Sequence, residues 1–243
     1  MTTTAGTTFD RRDDLAPGLL LGAGVEIGEG VQFGAYVVVH ANTSIGGGTF
    51  VGDHAVLGKQ VRLAAASTAS REPLPGLVIG ARCTIGTHAV INAGTTIGDG
   101  TLVGDQAMLR ERVTIGASCV LGRSALVEND TTLGDRVKVQ ANAYLTAYMT
   151  IEDDVFIAPC VMTTNDNYMG RTEQRFVERG GPTIRRGARV GGGCVLLPNV
   201  EIGAEAFVGA GAVVTKDVPA RTLVVGSPAR ALREVNADEL LDA

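Results

Sequence analysis

Aliphatic side chains recur along this chain with a period of six. Leu21, Ile27, Phe33, Val39, Ile45, Val51, Leu57 and Leu63 are evenly spaced. The count restarts at Ile79 and runs to Thr163, then restarts at Ile184 and runs to Val214. Most of these residues are followed by Gly, and the residue two places before is often Ala, Thr or Cys. Six residues are too few for a helix and a turn but suit one short strand and one corner. Three such units make a triangular coil, with the aliphatic pointing inward and the Gly helping the backbone round the bend. The pattern predicts an all-β fold, a left-handed parallel β-helix over residues 19–220, an exception to the usual right-handed crossover. A polar segment, 1–18, precedes it, and a C-terminal extension, 221–243, carries a short helix.

The count breaks at about 64–78 and 164–183. Carrying the three faces through both breaks makes them insertions from the same corner, five coils apart, or roughly 24 Å at ~4.8 Å per stacked strand. Between them one face is distinctive. Its residues just after the aliphatic are Asn92, Arg110, Glu128, Thr146 and Thr164, where Gly is commonest elsewhere. Its outward residues, Val90, Met108, Leu126, Tyr144 and Met162, form an apolar stripe. The equivalent residues of the next face are Thr96, Thr114, Thr132 and Thr150, which suit solvent; the third face is mixed, with Leu102, Val120, Lys138 and Phe156. An exposed apolar stripe calls for a partner, and a closed homotrimer is the natural assembly of a three-sided prism.

Composition narrows the picture. Aromatics are 4% of the 243 residues, there is no Trp, and the core must be built from Val, Ile, Leu and Ala. A net charge of -5 gives no global basic field for nucleic acid or an anionic membrane. The N-terminal MTTTAGTTFDRRDDL has no apolar core of a signal peptide, and no apolar run approaches the ~20 residues of a membrane span. Cys83, Cys119 and Cys194 fall two residues before repeat aliphatics, where small inward side chains belong, and no CxxC spacing occurs. A reducing, cytoplasmic compartment is the expectation.

The last 60 or so residues carry "VEIGAEAFVGAGAVVTKDVP" and "VVGSPAR". These phrases resemble the hexapeptide-repeat acyltransferases. The resemblance implies acetyl-CoA as co-substrate, lying in a groove between adjacent β-helices. It implies that Gly192, Ala210, Gly211 and Ala212 line the pantetheine path, with Lys216 and Arg230 near the adenosine end. The run from VEND through LGDRV, VQAN and IEDDVFIAP to TTNDNYMGR is similar to nucleotide-linked amino-sugar N-acetyltransferases. In that group an extruded loop reaches over acceptor and cofactor, which the insertion at 164 would do here. Arg171, Arg175 and Arg179 in this loop, followed by Arg185, Arg186 and Arg189, suit an acidic ligand such as a pyrophosphate. The chain departs from the group at Ser124, where several members have His; at Thr146, Ala147 and Tyr148, where they have bulk such as Trp; and at YMGR, where they have YPR.

Transfer to an amine needs an unprotonated nitrogen, a thioester and a place for the oxyanion. Glu128 is the first candidate base, a carboxylate partly buried in the groove, with an ion pair to Arg110 as the structural alternative. His88 is the second, in a corner column with Gln106, Ser124, Asn142 and Cys160. Asp166 would hold the amine or sugar hydroxyls, and Asn142 would bind the acceptor or orient the thioester carbonyl. Arg110, Tyr144, Thr164, Asn165, Tyr168 and Arg171 would contact the acceptor, a small molecule. Positioning alone, without a side-chain base, also suffices for an amine that loses its proton on binding. His40 and His54 are expected on the surface, and the three histidines in different columns, so that the zinc-bound His triad of a carbonic anhydrase on this fold is not expected, nor any metal. The remaining alternatives are O-acylation, acylation of a non-sugar small molecule, and a non-enzymatic scaffold.

Overall fold

The computed structural model describes residues 2–4, 7–65, 67 and 70–241. It is a left-handed β-helix of two-residue strands in three parallel sheets. Partners in each ladder are three sixes apart: Val90 pairs with Met108, Met108 with Leu126 and Leu126 with Tyr144. The repeat aliphatics fill the interior. Ile85, Ile91, Leu109, Leu121 and Val139 are fully buried, and the small residues two places before them, such as Ala89, Ala107, Cys119 and Val137, fill the gaps. Burial pushes the Cys83, Cys119 and Cys194 thiols upward in pKa, and each donates to a carbonyl, as Cys119 Sγ does to Gly134 at 3.1 Å.

The Gly after each aliphatic has a reason other than turning. At Gly98 an added Cβ would lie 2.6 Å from the backbone carbon of Gly116 in the next coil, and at Gly46 2.4 Å from that of Gly80. Close stacking of coils excludes a side chain there. The bend itself is made two residues on, at positive φ, by residues such as His88 (59°) and Asn142 (58°). Several corners are tied by aspartates whose Oδ1 accepts the amide of the preceding coil, as Asp53 does from Ala35 and Asp105 from Thr87.

Both ends close the prism with antiparallel strands. Thr7–Arg11 pairs with Leu20–Gly22, and buried Phe9 covers the first coil. At the other end Thr222–Val225 and Arg230–Glu234 form a hairpin, followed by a single 3-10 turn, Ala237–Glu239. The expected C-terminal helix is thus largely replaced by strand. Two segments leave the coil, between Val56–Lys59 and Val78–Ile79 and between Met162–Thr163 and Thr183–Ile184; the first begins before the expected 64, because Ile79 stacks directly on Ile45 and Ile91 on Leu57, so Leu63 lies in the insertion and not in the repeat. Both depart from the first sheet, with four strands between their points of departure.

Candidate functional site

The first sheet presents a continuous outward apolar column. In ladder order it runs Leu20, Val38, Val56, Val90, Met108, Leu126, Tyr144, Met162, Val195 and Val213. All are partly or fully exposed; Met162 is 46% exposed. One border of this face is the corner that carries His88, Asn142, Gly192 and Gly211; the other carries the two insertions.

Beside the column lies the polar one. Arg110 donates through Nε and Nη2 to Glu111 at 2.9 and 2.8 Å, and through Nη1 to Glu128 Oε2 at 2.9 Å. Asn92 Nδ2 reaches Glu111 at 3.5 Å, and Arg112 makes a two-pronged bond to Asp130 at 2.7 and 2.9 Å. Glu111 is only 2% exposed. Burial alone would push its carboxyl up, but the Arg110 hydrogen bonds and charge hold it below the ordinary 4.5. The sequence reading missed Glu111; its signal was an acid flanked by two arginines, one coil from VEND. The ion pair named as the alternative for Glu128 is therefore present, and Glu128 Oε1 accepts no hydrogen bond among the described residues. Tyr144 adjoins Glu128: burial raises its phenol, and the nearby carboxylate raises it further.

The second insertion is organised by Asp166. Its Oδ1 accepts the amide of Tyr168 at 2.8 Å and its Oδ2 that of Gly170 at 2.9 Å, bonds that hold the carboxyl below its ordinary range, with Arg175 at 3.7 Å. Both oxygens thus shape the loop. Tyr168 donates its hydroxyl to Glu178 at 2.6 Å, and Asn199 ties the loop to the coil through Glu178 O at 2.7 Å. Asn165 O accepts the amide of Gly180, closing the loop, and Thr164 Oγ1 donates to Leu196 O at 3.3 Å. Arg179 lies over the Tyr148 ring, 5.0 Å from its centre. Arg171 is exposed and forms no ion pair among the described residues. The later arginines do not join it. Arg185 bridges Glu152 and Glu201, Arg186 lies 3.6 Å from Asp154, and Arg189 pairs with Glu239, all on the other two sheets.

His88 and Asn142 share an exposed corner column but are three coils apart, about 14 Å. His54 belongs to the same column, a correction to the expectation of three separate ones: its ring stacks on His88 at 4.9 Å and on Tyr36 at 5.2 Å. His40 lies half-buried against Phe9, and burial followed by the charge of Lys59 holds its pKa below 6.5. No cluster of metal-binding side chains occurs among the described residues.

Among the cofactor candidates, Gly192, Ala210 and Gly211 sit on the corner bordering the first face. A Cβ at Gly192 would meet only Pro159 O, at 3.5 Å, and one at Gly211 nothing within 4 Å. The amides of Gly192 and Ala210 donate to no acceptor among the described residues, whereas the equivalent amides of Ala35 and Thr87 are capped by aspartates. Ala212 is a correction: it is fully buried, and its N–H and C=O both bond within the coils. Lys216 is exposed beyond the last strand of the first sheet, and Arg230 opens the final hairpin strand at the edge of the third.

Residues 181–216 match the bacterial transferase hexapeptide (six repeats) model, and residues 76–104 and 112–147 match the hexapeptide repeat of succinyl-transferase. These matches show hexapeptide repeats over part of the chain. A serine acetyltransferase of Buchnera aphidicola is 41% identical over 69 residues, 28% of this chain and 25% of the relative. A serine acetyltransferase of Escherichia coli is 41% identical over 58 residues, 24% of this chain and 21% of the relative. The chain thus spans about a quarter of the length of these curated relatives. A hexapeptide-repeat acetyltransferase of Vibrio cholerae, solved with acetyl coenzyme A, is 28% identical with a TM-score of 0.37, covering 48% of this chain and 70% of that one. Among the described residues no helix is long and apolar enough to cross a membrane.

Proposed function

We propose that this chain is an acetyl-CoA-dependent N-acetyltransferase acting on the amine of a nucleotide-linked amino sugar. The observation that carries the reading is the first face: free amides at Gly192 and Ala210 on one border, an extruded loop bearing exposed Arg171 on the other, and Glu128, Arg110 and Tyr144 between them. The pantetheine of CoA would lie along the Gly192–Gly211 corner with its own carbonyls directed to those amides and the thioester extending toward the coil of Asn142, and Lys216 and Arg230 would serve the nucleotide phosphates of CoA. The acceptor nitrogen attacks the acetyl carbon; the N–C bond forms, the C–S bond breaks and CoA leaves as the thiol. The amine's proton passes to the free Oε1 of Glu128 or to solvent, and from there a proton neutralises the departing thiolate, with Asn142 orienting the carbonyl. Thr164, Asn165 and Tyr168 would position the sugar, and Arg171 its phosphates. Asp166 would act by holding the loop, and His88 would lie outside reach of the reacting atoms.

The assembly would be a homotrimer in which the apolar column of each subunit meets its neighbour, in a reducing cytoplasmic compartment that suits the thiols of Cys83, Cys119, Cys160 and Cys194. A second reading is O-acetylation of a small hydroxyl acceptor, favoured by the local identity to serine acetyltransferases. Release of CoA thiol from acetyl-CoA, with nucleotide-linked amino sugars and serine compared side by side, separates the two.

A further inference from the structure

The structure assigns a second small-molecule site, under the first insertion, to an amphiphilic anion carrying an N–H or O–H donor. A cavity of about 890 Å³ lies between the N-terminal strand, the upper coils of the first face and residues 60–64. That is the size of a pocket for a drug-sized ligand. Its apolar wall is Phe9, Leu20, Val38 and Met108. Three cations line it, Lys59, Arg62 and Arg110, while none of the described lining residues is Asp or Glu. In a chain of net charge -5 that imbalance is a local choice. Arg110 is committed to Glu111 and Glu128. Lys59 and Arg62 are exposed and form no ion pair among the described residues, so they are the groups an incoming anion would meet.

The third requirement comes from Asn92. It lines this cavity and is 2% exposed; its Nδ2 is directed to Glu111, and its buried Oδ1 accepts no hydrogen bond. A buried acceptor without a donor has lost its water and gained nothing in exchange, a deficit a ligand donor removes. His40, which also lines the cavity, adds a half-buried ring that is held toward its neutral form. The acyl-transfer reading uses Arg110 but none of Lys59, Arg62, Asn92 or His40, and the repeat pattern requires none of these four. All its lining residues come from one chain, with Leu20, Val38 and Met108 at the edge of the apolar column proposed to meet a neighbour, and its outer wall is the segment that leaves the coil after Lys59.

The test uses the intact protein and anilinonaphthalene sulfonate, a probe with an aromatic body, an N–H and a sulfonate. Saturable fluorescence at a single site per chain is expected, with the uncharged analogue phenylnaphthylamine binding about tenfold more weakly. The Lys59→Ala/Arg62→Ala pair, both exposed and so harmless to folding, should weaken the sulfonate about tenfold and leave the uncharged analogue unchanged. Met108→Trp, which fills the cavity, should remove both; Val195→Ala, on the same apolar column but remote, should change neither. Equal binding of the two probes, or sulfonate binding unmoved by the double variant, would overturn the proposal and assign the fluorescence to the apolar column at large.

Discussion

Arg110 is the residue on which the first face turns. It neutralises Glu111, which is almost fully buried, and also reaches Glu128. Removing a partner from a buried charge is far more harmful than removing an exposed one. Arg110→Met should lower unfolding free energy by about 3 kcal/mol, and Glu128→Gln by about 1 kcal/mol or less, in chemical denaturation. The same pair sets an acid limit. Because folded Glu111 is held below its ordinary 4.5, its contribution is complete above that pH and fades as pH falls through the folded value. Thermal melts of Glu111→Gln should therefore start lower and show a flatter decline below pH 4.5 than the parent. Gly192 tests the cofactor corner. Its added Cβ meets only Pro159 O, so Gly192→Val should fold, yet raise KM for acetyl-CoA at least about tenfold by filling the path to the free amides.

At the scale of the strand and corner, much was legible because one period does one job. A residue every six positions points inward, so the core and the parallel register follow from counting. Ile115→Ala should destabilise by about 2–5 kcal/mol, while Thr114→Ala, one position away but outward, should change stability by no more than about 0.5 kcal/mol; denaturation midpoints compare them directly. What counting could not supply was contact between coils. The Gly after each aliphatic answers to the backbone of the next coil, a distance that no single hexad contains. His54 and His88 are stacked neighbours, but the first insertion puts 34 positions between them instead of the usual 18. Asp166 suggested chemistry by its place in TTNDNY, yet its carboxylate caps two amides of its own loop. The C-terminal hairpin was hidden because Thr222–Val225 and Arg230–Glu234 pair with each other outside the repeat.

For the whole molecule, the apolar column of the first sheet is the feature that a solitary prism leaves unexplained. The second sheet shows Thr96, Thr114, Thr132, Thr150 and Thr183 at the matching positions of five successive strands and has no continuous apolar column. The trimer reading predicts a mass of three chains by light scattering, and Leu126→Lys should shift the population to single chains while far-ultraviolet circular dichroism is retained. Subunit contact would also wall the groove in which acyl transfer is proposed, so the same variant should lose turnover. The most direct test of the central claim is release of CoA thiol from acetyl-CoA by the intact protein, across UDP- and dTDP-linked amino sugars, with serine and plain sugars alongside. The account predicts turnover well above hydrolysis with one nucleotide-linked amino sugar, and an N-acetylated product. Turnover with serine or a plain sugar alone, or none with any amine, would contradict it.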